Sequence, residues 1–200
     1  MTHTLDQAIQ HIYASFLHRD EADPPEQRTI IFDDLTIEKP WGWIFIYNNE
    51  KFYQTRDFMD AHVGAGPLFY NRVTGEIRPH GSGCNMEHAI YDYEMELASV
   101  GKFWSLWLTN AQDRAKTILR IKQLFKLSTK CARELVPVLP APLFHGVRRH
   151  LDWLADKCDT LEIQTEIKLD SSAPDCLEFI LADHMVNPTA AQAFHYERDV

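Results

Sequence analysis

Cys84 and His88 stand four residues apart with Glu87 between them. A thiolate beside an imidazole is a nucleophile pair, and the same two side chains are half of a zinc site. Neither role finds further partners at a suitable spacing. His145, His150 and Cys158 raise zinc a second time. His150 and Cys158 lie a little over two helical turns apart, too far to share one ion. They read as surface histidines and a core cysteine. Asp33-Asp34, and Asp57 with Asp60, are the paired carboxylates. General acid–base work needs two carboxyls facing across a cleft with separated pKa values. Neighbours on a strand point to opposite faces, so Asp33-Asp34 reads as a turn or an exposed acidic patch. VGAGPLF carries glycines, but it lacks the Lys-Ser/Thr ending and following helix of a phosphate loop. The expectation is a protein with no catalytic residues, no metal and no cofactor: not an enzyme.

The remaining chemistry is that of contact. The chain's net charge of −9 is uneven. Residues 1–100 hold 7 Lys/Arg against 16 Asp/Glu, while residues 101–200 hold 13 of each. An acidic half repels nucleic acid and steers a cationic protein toward itself. Trp41, Trp43, Phe52, Tyr53, Phe58, Phe69, Tyr70, Tyr91 and Tyr93 are more aromatics than one small core needs, and aromatics rimmed by carboxylates suit an interface. The opposite signature is Arg114, Lys116, Arg120, Lys122, Lys126, Lys130 and Arg133, opposed locally only by Asp113. It supports an alternative reading, a nucleic-acid or protein-binding adaptor using residues 111–139.

These residues sit in a chain of 200 residues, enough for one large domain or two small ones. There is no run of eighteen apolar residues, so no membrane span is expected. The N-terminal segment lacks the basic-then-apolar order of a secretory signal, and a cytoplasmic setting is expected. Cys84, Cys131, Cys158 and Cys176 contain no CxxC pair. Arithmetic permits two disulfides, but scattered thiols in a reducing compartment are the simpler reading.

The elements follow from periodicity. Leu5–Leu17 predicts a helix capped by Thr4. HRDEADPPEQR is a polar loop. Thr29–Ile37 predicts a strand with Asp33-Asp34 as turn or bulge. Trp41–Asn48 predicts one strand, apolar on both faces and so covered on both. Gly64 and Gly66 mark a positive φ or a close backbone approach before a strand from Leu68 to Val73. Thr74-Gly75 turns the chain into Ile77–His80. Met86–Ala98 predicts a helix with Met86, Ile90, Tyr93 and Leu97 in one stripe, started by Asn85 or Ser82. A boundary is expected at 100/101. Phe103–Thr109 is a strand, Asn110 a helix cap, and 111–126 and 129–139 two helices. Leu143–Val147 is a strand, Arg148–Leu161 a helix, and Glu162–Leu169 a strand with Ile163, Thr165, Ile167 and Leu169 on one face. Cys176–Val186 reads as a docked strand or helix and the last ten residues as a loosely held end. The class is α+β: a small antiparallel sheet flanked by helices (1–100), then a two-layer α/β sandwich in β-α-α-β-α-β order (101–200, with a C-terminal extension).

TIEKPWGWIFIYNNEKFY, GAGPLFYNRVTGEIRPHGSG and MEHAIYDYE, taken in order, resemble the immunity protein 35 family of bacterial polymorphic toxin systems. Trp43, Phe45 and Tyr47 match its first strand. Gly64 or Gly66 with Pro67, Asn71, Thr74 and Gly75 match its second strand and hairpin. Gly81, Glu87, Ile90 and Tyr93 match its closing helix. The likeness spans about residues 5–97. ILRIKQLFKLSTKCARELV, LFHGV, the helix 148–161 and EIQTEIKL are similar to the C-terminal domain of ribosomal protein L7/L12, over about residues 102–169. The first resemblance implies an immunity protein that neutralises a cognate toxin by stoichiometric binding. A basic toxin is the better fit, and neither nucleic acid nor membrane is an expected partner. Self-association is left open. The toxin-binding residues expected are Asp33, Asp34, Glu50, Phe52, Tyr53, Asp57, Asp60, Asp92, Glu94 and Glu96.

Overall fold

The computed structural model describes residues 2–17, 23–24, 26–136, 139–174 and 176–179. It is α+β and divides into two compact units, Met1–Tyr91 and Asp92–Val200. The division falls inside a helix, nine residues before the boundary expected from sequence.

In the first unit, helix α1 spans Leu5–Ser15. Thr4 Oγ1 accepts from Gln7 N at 3.3 Å, and Gln7 Oε1 accepts from Thr4 N at 2.9 Å, a reciprocal box that satisfies two otherwise unpaired amides. Ala8, Ile12 and, just beyond, Leu17 turn inward. They meet Trp43, Phe45, Leu68 and Tyr70 from the sheet. That sheet runs β2 (Ile37–Lys39), β3 (Gly42–Phe45), β5 (Leu68–Asn71), β6 (Ile77–Pro79), all antiparallel. Every residue of β3 and β5 is buried. Register pairs Trp43 with Tyr70 and Phe45 with Leu68 on one face, and Ile44 with Phe69 on the other. The doubly apolar pattern therefore does mark a strand covered on both sides.

The single strand expected over 41–48 is two. The chain leaves β3 at Phe45 and re-pairs as β4 (Tyr47–Asn49) with β1 (Thr29–Ile31), a separate two-stranded sheet. Phe32 N donates to Ile46 O at the changeover. Periodicity does not register a change of partner, because both halves are extended and apolar. Asp33–Leu35 is a 3-10 turn, as expected at Asp33-Asp34, and it divides the 29–37 segment into β1 and the start of β2. The glycine expectation holds in both its forms. Gly64 has φ +91°, and a Cβ on Gly66 would stand 2.0 Å from the His80 carbonyl oxygen.

Two features escaped the sequence reading. Helix α2, Glu50–Thr55, follows β4 directly, and a second 3-10 turn covers Phe58–Asp60. Helix α3 spans Met86–Ala98, with Asn85 Oδ1 accepting from His88 N at 3.0 Å. Ala89 and Tyr93 are its buried residues.

The second unit has the expected order with corrected ends. β7 (Phe103–Asn110) runs one residue past the expected strand end, so Asn110 belongs to the strand. Asp113 is the cap instead, accepting from Lys116 N at 3.0 Å, and α4 spans Arg114–Phe125. α5 is Thr129–Leu135. The side chains of Cys131 and Leu135, and residues 137–138 of the longer expected helix, lie outside the description. β8 (Ala141–Gly146), α6 (Arg148–Thr160), β9 (Gln164–Asp170) and β10 (Leu177–Phe179) follow. The sheet order is β10-β8-β7-β9, antiparallel except for the parallel β10–β8 pair. β10 meets the expectation of a docked segment at 176–186 in part; the rest of that segment, the last ten residues and most of the 18–25 loop lie outside the description. Leu106 and Leu108 of the sheet join Ile121, Leu124, Leu151, Leu154 and Cys158 of the helices in one core. Among the described residues no helix is long and apolar enough to cross a membrane.

Candidate protein-binding surface

Seven of the ten residues expected at a binding surface belong to the first unit, and contacts tie them into one region around α2. Phe32 is buried, and its ring lies 4.8 Å from that of Tyr53 and 6.1 Å from that of Phe52. Arg56, the left-handed residue that ends α2, places its guanidinium 4.5 Å over Tyr53 and pairs with Asp34 at 3.3 Å. Asp34 also accepts from the Tyr53 hydroxyl, and this hydrogen bond to a carboxylate, followed by its charge, pushes the phenol above its ordinary range. Asp33 beside it is exposed. Glu50 pairs with Arg28 at 2.6 Å. Asp60 pairs with Lys51 at 2.7 Å and accepts from Thr55 Oγ1 at 2.9 Å. These two hydrogen bonds hold its carboxyl below the usual range, and the hydrogen bond from Lys51 to Asp60, followed by the Asp60 charge, holds the Lys51 ammonium above its own. Asp57 caps the second 3-10 turn, accepting from Met59 N at 2.9 Å.

The cations Arg28, Lys51 and Arg56 were not singled out by sequence. Each is spent on one of the carboxylates, so the region combines three compensated acids with the exposed Asp33 and Asp57. Phe58 and Met59, between Asp57 and Asp60, are 86% and 89% exposed. Val63 is fully exposed as well. Single exposed apolar side chains are commonplace, but here three fall within six residues of sequence.

The loop that bears them is held from beneath by two buried amides. Asn48 Oδ1 accepts from His62 N at 2.7 Å, and its Nδ2 donates to His62 O at 3.3 Å. Asn49 Oδ1 accepts from Phe52 N at 2.7 Å, capping α2, and its Nδ2 donates to Asp60 O at 2.5 Å. Asn-Asn reads from sequence as a strand breaker. The signal for more was available: Asn49 followed by EKFYQT is a capped helical turn.

Asp92, Glu94 and Glu96 lie on α3, in the second unit. Asp92 pairs with Arg149 at 3.0 Å. Glu94 is half-buried and Glu96 exposed.

The basic helices differ from expectation. Glu162, at the turn from α6 into β9, accepts from Lys116 at 3.1 Å and Arg120 at 2.5 Å. Those two cations lower its pKa below the ordinary carboxylate range. Asp113 is thus not the only opposing charge: Glu134 also stands 4.0 Å from Lys130, while Arg114, Lys122, Lys126, Lys130 and Arg133 are all exposed. Cys84 is exposed on the turn before α3. Burial pushes the Cys158 thiol up to about 12, which leaves it protonated and inert at neutral pH. Among the described residues no three His, Cys, Asp or Glu side chains gather as a metal site.

No family model, curated protein or solved structure matches the chain.

Proposed function

We propose that this chain is an immunity protein: it acts in the cytoplasm, binds one cognate bacterial toxin, and neutralises it stoichiometrically without turnover. The observation that carries the reading is the convergence of Asp33, Asp34, Phe52, Tyr53 and Asp57 from separate segments onto one acidic, aromatic-backed face of the first unit. The resemblance to the immunity protein 35 family gives that face its role. Charge gives it a kind of partner, since the first unit, residues 1–91, holds 7 Lys/Arg against 13 Asp/Glu and such a deficit steers a cationic protein.

The alternative, an adaptor using the basic helices, is weaker. Glu162 offsets part of the charge of Lys116 and Arg120, and Glu134 stands 4.0 Å from Lys130, so the basic face is partly compensated.

The test is co-expression with the toxic product of the adjacent gene. Growth rescue and a one-to-one complex are expected. Asp33→Lys is the clean probe, because Asp33 is exposed, whereas Asp57 and Asp60 also hold the loop. Rescue should weaken in this variant with the melting temperature unchanged. If the adjacent product neither binds nor harms cells, the reading is wrong.

A further inference from the structure

We propose that residues 57–63 are the anchor of the complex, with Phe58 and Met59 inserting into an apolar socket bordered by lysine or arginine on the toxin. This rests on the reading above and adds to it the segment that grips and the chemistry it grips.

The argument begins with what the loop exposes. Phe58 and Met59 present almost their whole side chains to water, which opposes the ordinary tendency to bury such groups. They are flanked by Asp57, whose carboxylate caps the turn, and by Asp60, whose charge Lys51 offsets, so the uncompensated charge at the tip is that of Asp57. A receptor for this tip must be apolar at its centre and cationic at its edge, the layout in which anchor residues are dry and the rim is charged.

The second part concerns how the tip is held. Asn48 and Asn49 are buried polar side chains, a costly choice unless every group is satisfied. Their amides bond chiefly to the backbone of the loop and of the helix that leads into it, at His62, Asp60 and Phe52. Lys51 and Thr55 bind the Asp60 carboxylate from the outside. The His62 ring bonds Glu26 O at 2.9 Å. A loop fixed at both ends pays little ordering entropy on docking, so the apolar contact appears as affinity. Fixing a loop in order to expose a phenylalanine and a methionine makes sense when a partner covers them.

The experiment uses the full chain and the purified product of the adjacent gene, the wild type and a Phe58→Ala/Met59→Ala variant, with binding measured by calorimetry. The expected result is a Kd raised about 30-fold or more, the size of a hot-spot loss, with the melting curve unchanged. Met59 should also be protected from peroxide oxidation in the wild-type complex. Wild-type binding that the variant matches overturns the anchor but leaves the immunity reading intact. No wild-type binding overturns both. Sedimentation of the chain alone supplies the last arm: a dimer that the double substitution dissolves would make a second copy the occupant and overturn the proposal.

Discussion

Asp60 shows how much a single carboxylate organises here. It accepts from Lys51 and Thr55 through its side chain and from Asn49 through its backbone. The side-chain bonds favour the ionised form, so its pKa in the folded protein lies below its unfolded value of about 3.9. A depressed carboxyl stabilises the fold above the unfolded pKa, and that contribution is lost as pH falls through the folded one. Carboxyl carbon shifts should therefore report an Asp60 midpoint below about 3.9, and Lys51→Met should raise it toward that value. A midpoint indifferent to Lys51 would show that the pair does not hold the loop. The pair is exposed enough that its loss should unfold nothing outside the loop.

At the scale of elements, the α2 segment is the informative one. Six residues are too few for a helix to stand alone in water. It persists because Asn49 caps its start, Arg56 ends it in the left-handed conformation, and Phe52 and Tyr53 pack against Phe32. Removing the cap should therefore do more than cost a cap. Asn49→Ala should destabilise the protein by about 1–2 kcal/mol, from the lost cap and the unpaired Asp60 carbonyl. Hydrogen exchange should quicken first at Phe52 and across residues 57–62, ahead of β3 and β5. Uniform quickening across the first unit would mean that Asn49 supports the sheet and not the loop. Sequence periodicity found the long elements, α1, α3, α4 and α6, because each repeats its apolar stripe over several turns. It missed α2 because one and a half turns contain no repeat, and it fused β3 with β4 because a change of pairing partner leaves alternation intact.

At the scale of the whole molecule, charge is the property that matters, and it was legible from composition. With the deficit confined to residues 1–100, association with a cationic toxin should slow as salt rises from about 50 mM to about 500 mM, as screening shortens the reach of the field. Asp33→Lys should slow it further, and Lys122→Glu with Lys130→Glu should leave it unchanged. A rate insensitive to salt would remove steering from the account. The amino-acid sequence by itself determined the α+β class, the element order of the second unit, the doubly buried strand and the acidic, aromatic character of the first half, because these depend on local periodicity and on counts. Only the tertiary structure decided that Asn48 and Asn49 are buried fasteners, that Arg28, Lys51 and Arg56 each neutralise one expected contact carboxylate, that Lys116 and Arg120 share Glu162, and that Phe58 and Met59 face water. All but the last are pairings between residues several to dozens of positions apart, and a pairing has no periodicity to read.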